Sequence, residues 1–374
     1  MSETLSDTIE VMLVDDSAVV RGFMTRIIDS DPGIKVVYSA HNGSMAIGAL
    51  DTYDPDIILL DVEMPVMDGL TAIPQILQKR PNAKIIMCST LTTQNASTAM
   101  KALSLGAVDC IAKPSATSDI SQDTFRQLVL HKIRSIADGA TVKPARVATA
   151  AANPAASAAE PKKAILHPHL PRQVTLRPAN EGFQGKPQIV AVGSSTGGPK
   201  ALFEVMKSFK GFDVPIVLTQ HMPPTFTRIL AEHITNHAGV PAVEAENGMK
   251  LEPGRVHVAP GGFHMLITQN GNDKIVKLDD GPMENFCKPA VDPMLRSLLP
   301  IYGDKILTVI LTGMGQDGLK GARDVVARGG RIIAQDEATS VVWGMPGAVA
   351  LAGICSAVLP LNDIGNYVRK AVIR

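Results

Sequence analysis

Short runs of four to six apolar residues, each followed by a stretch with helical spacing, constrain the fold of this chain more than any other feature. Val11 to Val14 precedes Val20, Phe23, Ile27 and Ile28, which recur at helical intervals. Ile34 to Val37 with a helix near Ala46, Ile57 to Leu60, Lys84 to Met87 with a helix around Met100, and Val108 to Ile111 with a helix near Leu128 continue the rhythm. Five strands alternating with five helices make a parallel sheet covered on both faces. The pattern resumes at Ile189 to Val192, Pro215 to Thr219, Val256 to Ala259, Met265 to Thr268, Ile306 to Leu311 and Ile332 to Ile333. Helices are expected from Pro199, near Ile229, from Leu319 and up to Val372. This second part reads as a doubly wound, mostly parallel α/β sheet with an antiparallel insertion around residues 255–280.

Between the two parts, residues 138–186 hold twelve Ala and six Pro without an apolar period. Such a segment buries too little surface to offset its ordering entropy and is expected to be a flexible linker. That leaves one domain before it and one, residues 187–374, beyond it. Formal charge is −5 before the linker, +4 within it and +1 beyond it, so the acidic front part and its basic tether are expected to attract. The 36 basic and 36 acidic residues cancel, which argues against a nucleic-acid binder. No apolar run reaches the length of a membrane span and the N-terminus is acidic where a signal peptide is basic. A cytoplasmic protein without membrane insertion is expected. Cys88, Cys110, Cys287 and Cys355 are scattered, with no metal-ligand spacing, and read as buried thiols.

In a parallel sheet, functional residues gather beyond the carboxyl ends of the strands. Asp15 and Asp16 end the first strand, Asp61 the third, Ser89 the fourth, and Lys113 follows the fifth. Any one of these acids could cap a helix, as Asp16 or Ser17 could. Three carboxylates at one edge instead call for a hard divalent cation, and oxygen ligation suits Mg²⁺. A phosphoryl group on one of them would be stabilised by the cation, by Lys113 and by Ser89.

In the second part, Gly193-Ser194-Ser195-Thr196-Gly197-Gly198-Pro199 joins a strand to a helix and fits G-x-S-x-G with Ser195 at its centre. Such turns also bind phosphates, but no Walker-type lysine motif is present. Ser194 is the neighbouring alternative. A nucleophilic serine needs a base, and His221 ends the next strand; the base needs an orienting carboxylate, and Asp317 lies beyond Ile306 to Leu311. His257 and His264 could occupy the same edge, and Asp317 alone could be a helix cap.

VDDSAVVR, LLDVEMPVMDGL and KPS resemble a two-component receiver domain, of flavodoxin-like fold, over residues 9–127. The resemblance implies Asp61 as phosphoacceptor, Mg²⁺ held by Asp15, Asp16, Asp61 and the Glu63 backbone carbonyl, Ser89 as the switch hydroxyl and Lys113 as the phosphate-contacting cation. GSSTGGPKAL, QHMPPTFT, VHVAPGGFHM, LTGMGQDG and TSVVWGMPGA resemble the catalytic domain of the CheB family of chemotaxis methylesterases, although that family has Ala where Ser194 stands. This second resemblance implies Ser195 as nucleophile, His221 as base, Asp317 as orienting acid, Thr196 assisting the histidine and the Met314 amide as an oxyanion donor.

Together they imply hydrolysis of glutamate methyl esters on chemoreceptors with release of methanol, and deamidation of receptor glutamines, without a cofactor for the hydrolysis. The implied partners are methyl-accepting chemotaxis receptors and a histidine kinase, with the protein a monomer. Phosphorylation of Asp61 is expected to shift a receiver that covers the catalytic strand ends. A non-enzymatic output module for DNA and a general esterase of small substrates are the competing readings.

Overall fold

A computed structural model describes residues 8–89, 93–113, 122–139, 174–178, 181–182 and 185–373. The N-terminal unit runs β1 (Ile9–Val14), α1 (Ala18–Ile28), β2 (Ile34–Ala40), α2 (Gly43–Ala49), β3 (Ile57–Asp61), α3 (Gly69–Lys79), β4 (Lys84–Ser89), α4 (Thr93–Leu105), β5 (Asp109–Ala112) and α5 (Gln122–Gly139). The strands pair in parallel in the order β2-β1-β3-β4-β5. β3 is buried along its whole length, as a central strand between two helical layers must be. Ser17, Asn42 and Asp68 cap α1, α2 and α3 by accepting the amides of Val20, Met45 and Thr71. Asp16 does not cap, so its carboxylate stays available at the strand end. α5 continues to Gly139, two residues into the segment expected to be linker.

The C-terminal unit runs β6 (Ile189–Ser194), α6 (Gly198–Met206), β7 (Ile216–Gln220), α7 (Phe226–Ala238), β8 (Ala242–Glu244), β9 (Val256–Val258), β10 (His264–Asn270), β11 (Asp273–Asp279), α8 (Val291–Tyr302), β12 (Ile306–Ile310), α9 (Leu319–Ala327), β13 (Arg331–Gln335), α10 (Met345–Leu351), β14 (Ala357–Leu359) and α11 (Leu361–Val372). Seven strands pair in the order β14-β13-β12-β6-β7-β9-β8, all in parallel. The antiparallel insertion is narrower than expected: β9 belongs to the parallel sheet, and β10 pairs only with β11. Part of the linker packs on this unit, with Val174 against its core and the Arg177 amide bonded to the Cys355 carbonyl. Residues 140–173 of the linker lie outside the described residues. None of the described helices is long and apolar enough to cross a membrane.

The two units are docked. α4 packs against α7 and α6, and buried Ala96, Ala99, Met100 and Leu103 join the same apolar cluster as Phe226, Leu230 and Ile234. Register at the carboxyl ends of the central strands of the second sheet positions its site. Ser194 lies opposite Gln220, and Gly193 opposite Ile310, so the ends of β7, β6 and β12 lie side by side.

Candidate functional sites

At the N-terminal strand ends, Lys113 Nζ lies 2.7 Å from both Asp15 Oδ2 and Asp61 Oδ2. Oxygens of Asp15, Asp16 and Asp61 fall within 4.8 Å of one another. Asp15 and Asp61 are buried and Asp16 is exposed, so the cluster opens to solvent on one side. Burial raises the Asp61 pKa, with Asp15 adding to the effect, against the opposing pull of Lys113. Lys113 itself is held charged, its two carboxylate partners outweighing burial. Oxygen donors of this number and charge fit a hard divalent cation. Ser89 is buried at the end of β4, and Glu63 is exposed two residues past Asp61. All five residues expected at this edge are found at its strand ends.

In the C-terminal unit the Ser195 turn is built from glycine geometry. Gly197 has φ +76°, which favours glycine, and a Cβ on Gly198 would lie 2.0 Å from Gln220 Oε1. Gln220 uses that oxygen to accept from Ser194 Oγ at 2.7 Å and its Nε2 to donate to the Ser195 carbonyl at 2.9 Å. Ser194 is fully buried and bonded, whereas Ser195 is 7% exposed. That separates the two candidate nucleophiles.

His221 Nε2 lies 2.8 Å from Asp317 Oδ2. Asp317, 1% exposed, also accepts the amides of Val291, Asp292 and Gly318 and the side chain of Asn285. Its burial would raise the carboxyl pKa, but the His221 bond and charge and the backbone donors hold it below the usual range. Burial likewise disfavours a charged His221 ring, yet Cys287 and Asp317 outweigh it and push the pKa up to about 10. Cys287 Sγ is 3.3 Å from Nδ1, the nitrogen that Asp317 leaves open. No hydrogen bond of Ser195 Oγ is present among the described residues, so the Ser195–His221 bond is not made in this arrangement.

The other candidates resolve as structural. His257 contacts the Ile216 carbonyl through Nδ1 and accepts the Glu252 amide at Nε2; His264 contacts the Pro282 carbonyl and accepts the Ala290 amide. In this arrangement the Thr196 hydroxyl donates to Asp109 Oδ2 at 2.7 Å. Asp109, on β5, also pairs with Lys132, and the Gly197 amide donates to the Val108 carbonyl at 3.0 Å. The N-terminal unit therefore grips the residues immediately after Ser195. Met314 lies between Gly313 and Gly315; no acceptor among the described residues takes its amide, and its side chain packs against the apolar cluster of the N-terminal unit. The cysteines also correct an expectation. All are free, but only Cys88 and Cys355 are buried, while Cys110 and Cys287 are partly exposed.

Gln220, Asn285, Cys287 and Asp109 were not singled out by the sequence for these contacts. Gln220 sits beside His221 and could have been found from the strand register. The others meet the site only through loops or docking.

Fold and clusters define the class: a receiver-type α/β unit docked on a second α/β unit whose strand ends carry a serine turn and a histidine–carboxylate pair. Residues 11–124 match the response regulator receiver domain and residues 190–368 the CheB methylesterase family. A protein-glutamate methylesterase/protein-glutamine glutaminase from Azospirillum brasilense is 53% identical, covering 98% of this chain and 94% of its own length. One of the group 2 operon of Rhodospirillum centenum is 50% identical over 99% of this chain and 95% of its own. The solved CheB methylesterase catalytic domain of Thermotoga maritima is 42% identical over 51% of this chain and all of its own, with TM-score 0.49. The chain belongs to the receiver-coupled CheB methylesterase family.

Proposed function

We propose that this enzyme, a protein-glutamate methylesterase and protein-glutamine glutaminase by family, hydrolyses its substrates with Ser195 as nucleophile, His221 as base and Asp317 as orienting carboxylate. The observation that carries the reading is the 2.8 Å His221–Asp317 pair beside the glycine-built serine turn. Asp317 fixes Nε2, so Nδ1 takes the Ser195 proton as Oγ attacks the carbonyl of a receptor glutamate methyl ester. The oxyanion meets the Met314 amide. The imidazolium then returns its proton to the departing methoxide, methanol leaves, and water, deprotonated by His221, releases the acyl group as glutamate. A glutamine side chain follows the same path with ammonia leaving.

The N-terminal unit supplies control. Asp15, Asp16, Asp61 and the Glu63 carbonyl would hold Mg²⁺, which supplies charge neutralisation for a phosphoryl group. Asp61 accepts that group from a histidine kinase of the chemotaxis system, Lys113 contacts it, and Ser89 is the switch hydroxyl. Phosphorylation favours an arrangement in which Val108 and Asp109 release the Gly197 amide and the Thr196 hydroxyl, which then assists His221. The test is methanol release from membranes bearing methylated receptors, with and without a small phosphodonor and Mg²⁺. Hydrolysis that depends on Ser195 and rises with phosphodonor is expected; wild-type rates from Ser195→Ala would reject the assignment.

A further inference from the structure

The segment that brings Cys287 to the base is a tight turn. Glu284 and Cys287 exchange backbone hydrogen bonds, the Glu284 amide to the Cys287 carbonyl at 3.2 Å and the reverse at 2.9 Å. The two residues between them, Asn285 and Phe286, have φ of 52° and 61°, the signature of a type I′ turn. Asparagine tolerates this region, whereas a bulky phenylalanine is strained there. The strain is tolerated because the turn is anchored: the Asn285 side chain donates to Asp317 Oδ1 at 2.8 Å and to Asp292 Oδ2 at 3.0 Å. Phe286 is thrown outward, 96% exposed. Cys287 is thereby directed at His221.

The two ring nitrogens are then both engaged, Nε2 by Asp317 and Nδ1 by Cys287. We propose that Cys287 is a positioning residue for the hydrolysis: its sulfur occupies the one imidazole nitrogen available to Ser195, so the nucleophile is activated only when it displaces the thiol. The proposal rests on Ser195, His221 and Asp317 being the catalytic set. A sulfur that accepts from Nδ1–H also favours the charged ring, which cannot take a proton from serine. Around this pair, Asp317 is in direct contact and Asp292 lies beyond Asn285. Glu284 pairs with Arg296, and Lys288 with Asp280, toward solvent. Across the serine turn stand Asp109 and Lys132. None of these besides Asp317 has a hydrogen bond to the ring, so among the described residues the sulfur is its one variable partner.

The test follows the rate at which a serine-directed fluorophosphonate labels the full-length protein between about pH 5 and 10, a range spanning the free and raised imidazole values. In Cys287→Ala the imidazole loses the partner that favours its charged form. Each pKa unit by which it falls raises the neutral fraction, and hence labelling below the old value, about tenfold. The acid limb should therefore move to lower pH, with labelling near neutrality faster by about that factor. Cys287→Ser, which keeps a weaker partner on the nitrogen, should fall between alanine and the wild type.

Superimposable labelling profiles for Cys287→Ala and the wild type would overturn the proposal. So would slower labelling by a Cys287→Ala protein with an unchanged thermal transition. Labelling that persists in Ser195→Ala would instead refute the catalytic set, and is distinguishable because it does not involve Cys287.

Discussion

Replacing Asp109 with alanine takes away the acceptor that Thr196 Oγ1 uses at 2.7 Å, while leaving every side chain of the esterase strand ends intact. The Asp109 side chain is only 13% exposed, so solvent screens the bond little. A hydrogen bond to a charged group of this kind contributes about 1.5–3 kcal/mol, and at about 1.4 kcal/mol per decade its loss shifts the balance between docked and released forms by roughly ten- to a hundredfold. The Gly197–Val108 backbone bond and the α4–α7 contact remain, so docking weakens rather than disappears. Basal methanol release by the unphosphorylated protein should rise by up to that factor, limited by the rate of the fully phosphorylated enzyme, and the gain from phosphodonor should shrink accordingly. Lys132 loses its partner too, so Lys132→Ala serves as the control for damage within the receiver. An Asp109→Ala protein with wild-type basal rate, normal phosphorylation and a normal melting profile would refute the reasoning that this bond restrains the serine turn.

Other outcomes follow from the same geometry. Asp317→Asn should cut the ester hydrolysis rate by about four orders of magnitude, because the imidazole loses the acceptor that fixes its tautomer. The Asp317 carboxyl is held below its unfolded value, so its contribution to stability is full above that value and is lost as pH falls through the lowered folded one. Urea unfolding in this acid window should be less pH-dependent in Asp317→Asn than in the wild type. Asp61→Asn, or chelation of divalent cations, should abolish incorporation of label from a phosphodonor while leaving basal hydrolysis unchanged. Gly198→Ala places a Cβ 2.0 Å from Gln220 Oε1 and should cost about 1–3 kcal/mol of stability, measured by chemical denaturation, with a loss of serine reactivity as the turn shifts.

Most of the sheet was readable because central parallel strands such as β3 and β6 are continuous apolar runs. β8 and β14 escaped because, as three-residue strands at the two edges of the sheet, they are only partly buried and carry too little apolar pattern to register. Ser195, His221 and Asp317 could be chosen from motif and strand position, and the turn glycines explain why the serine is presented. Cys287 could not, since its approach to His221 depends on two positive-φ residues in a turn with neither glycine nor a sequence period. Thr196 shows a different limit. Its place in the serine turn is plain from the local motif, but docking commits its hydroxyl to Asp109, a contact between residues 87 positions apart that no local spacing encodes.

The apolar layer that α4 shares with α7 has a thermodynamic consequence. Water cannot reach that layer while the two halves remain in contact, so melting either half exposes surface belonging to both, and heat should unfold the unphosphorylated protein in one coupled transition. Separation of the halves would remove that coupling, and the calorimetric trace would resolve into two independent peaks.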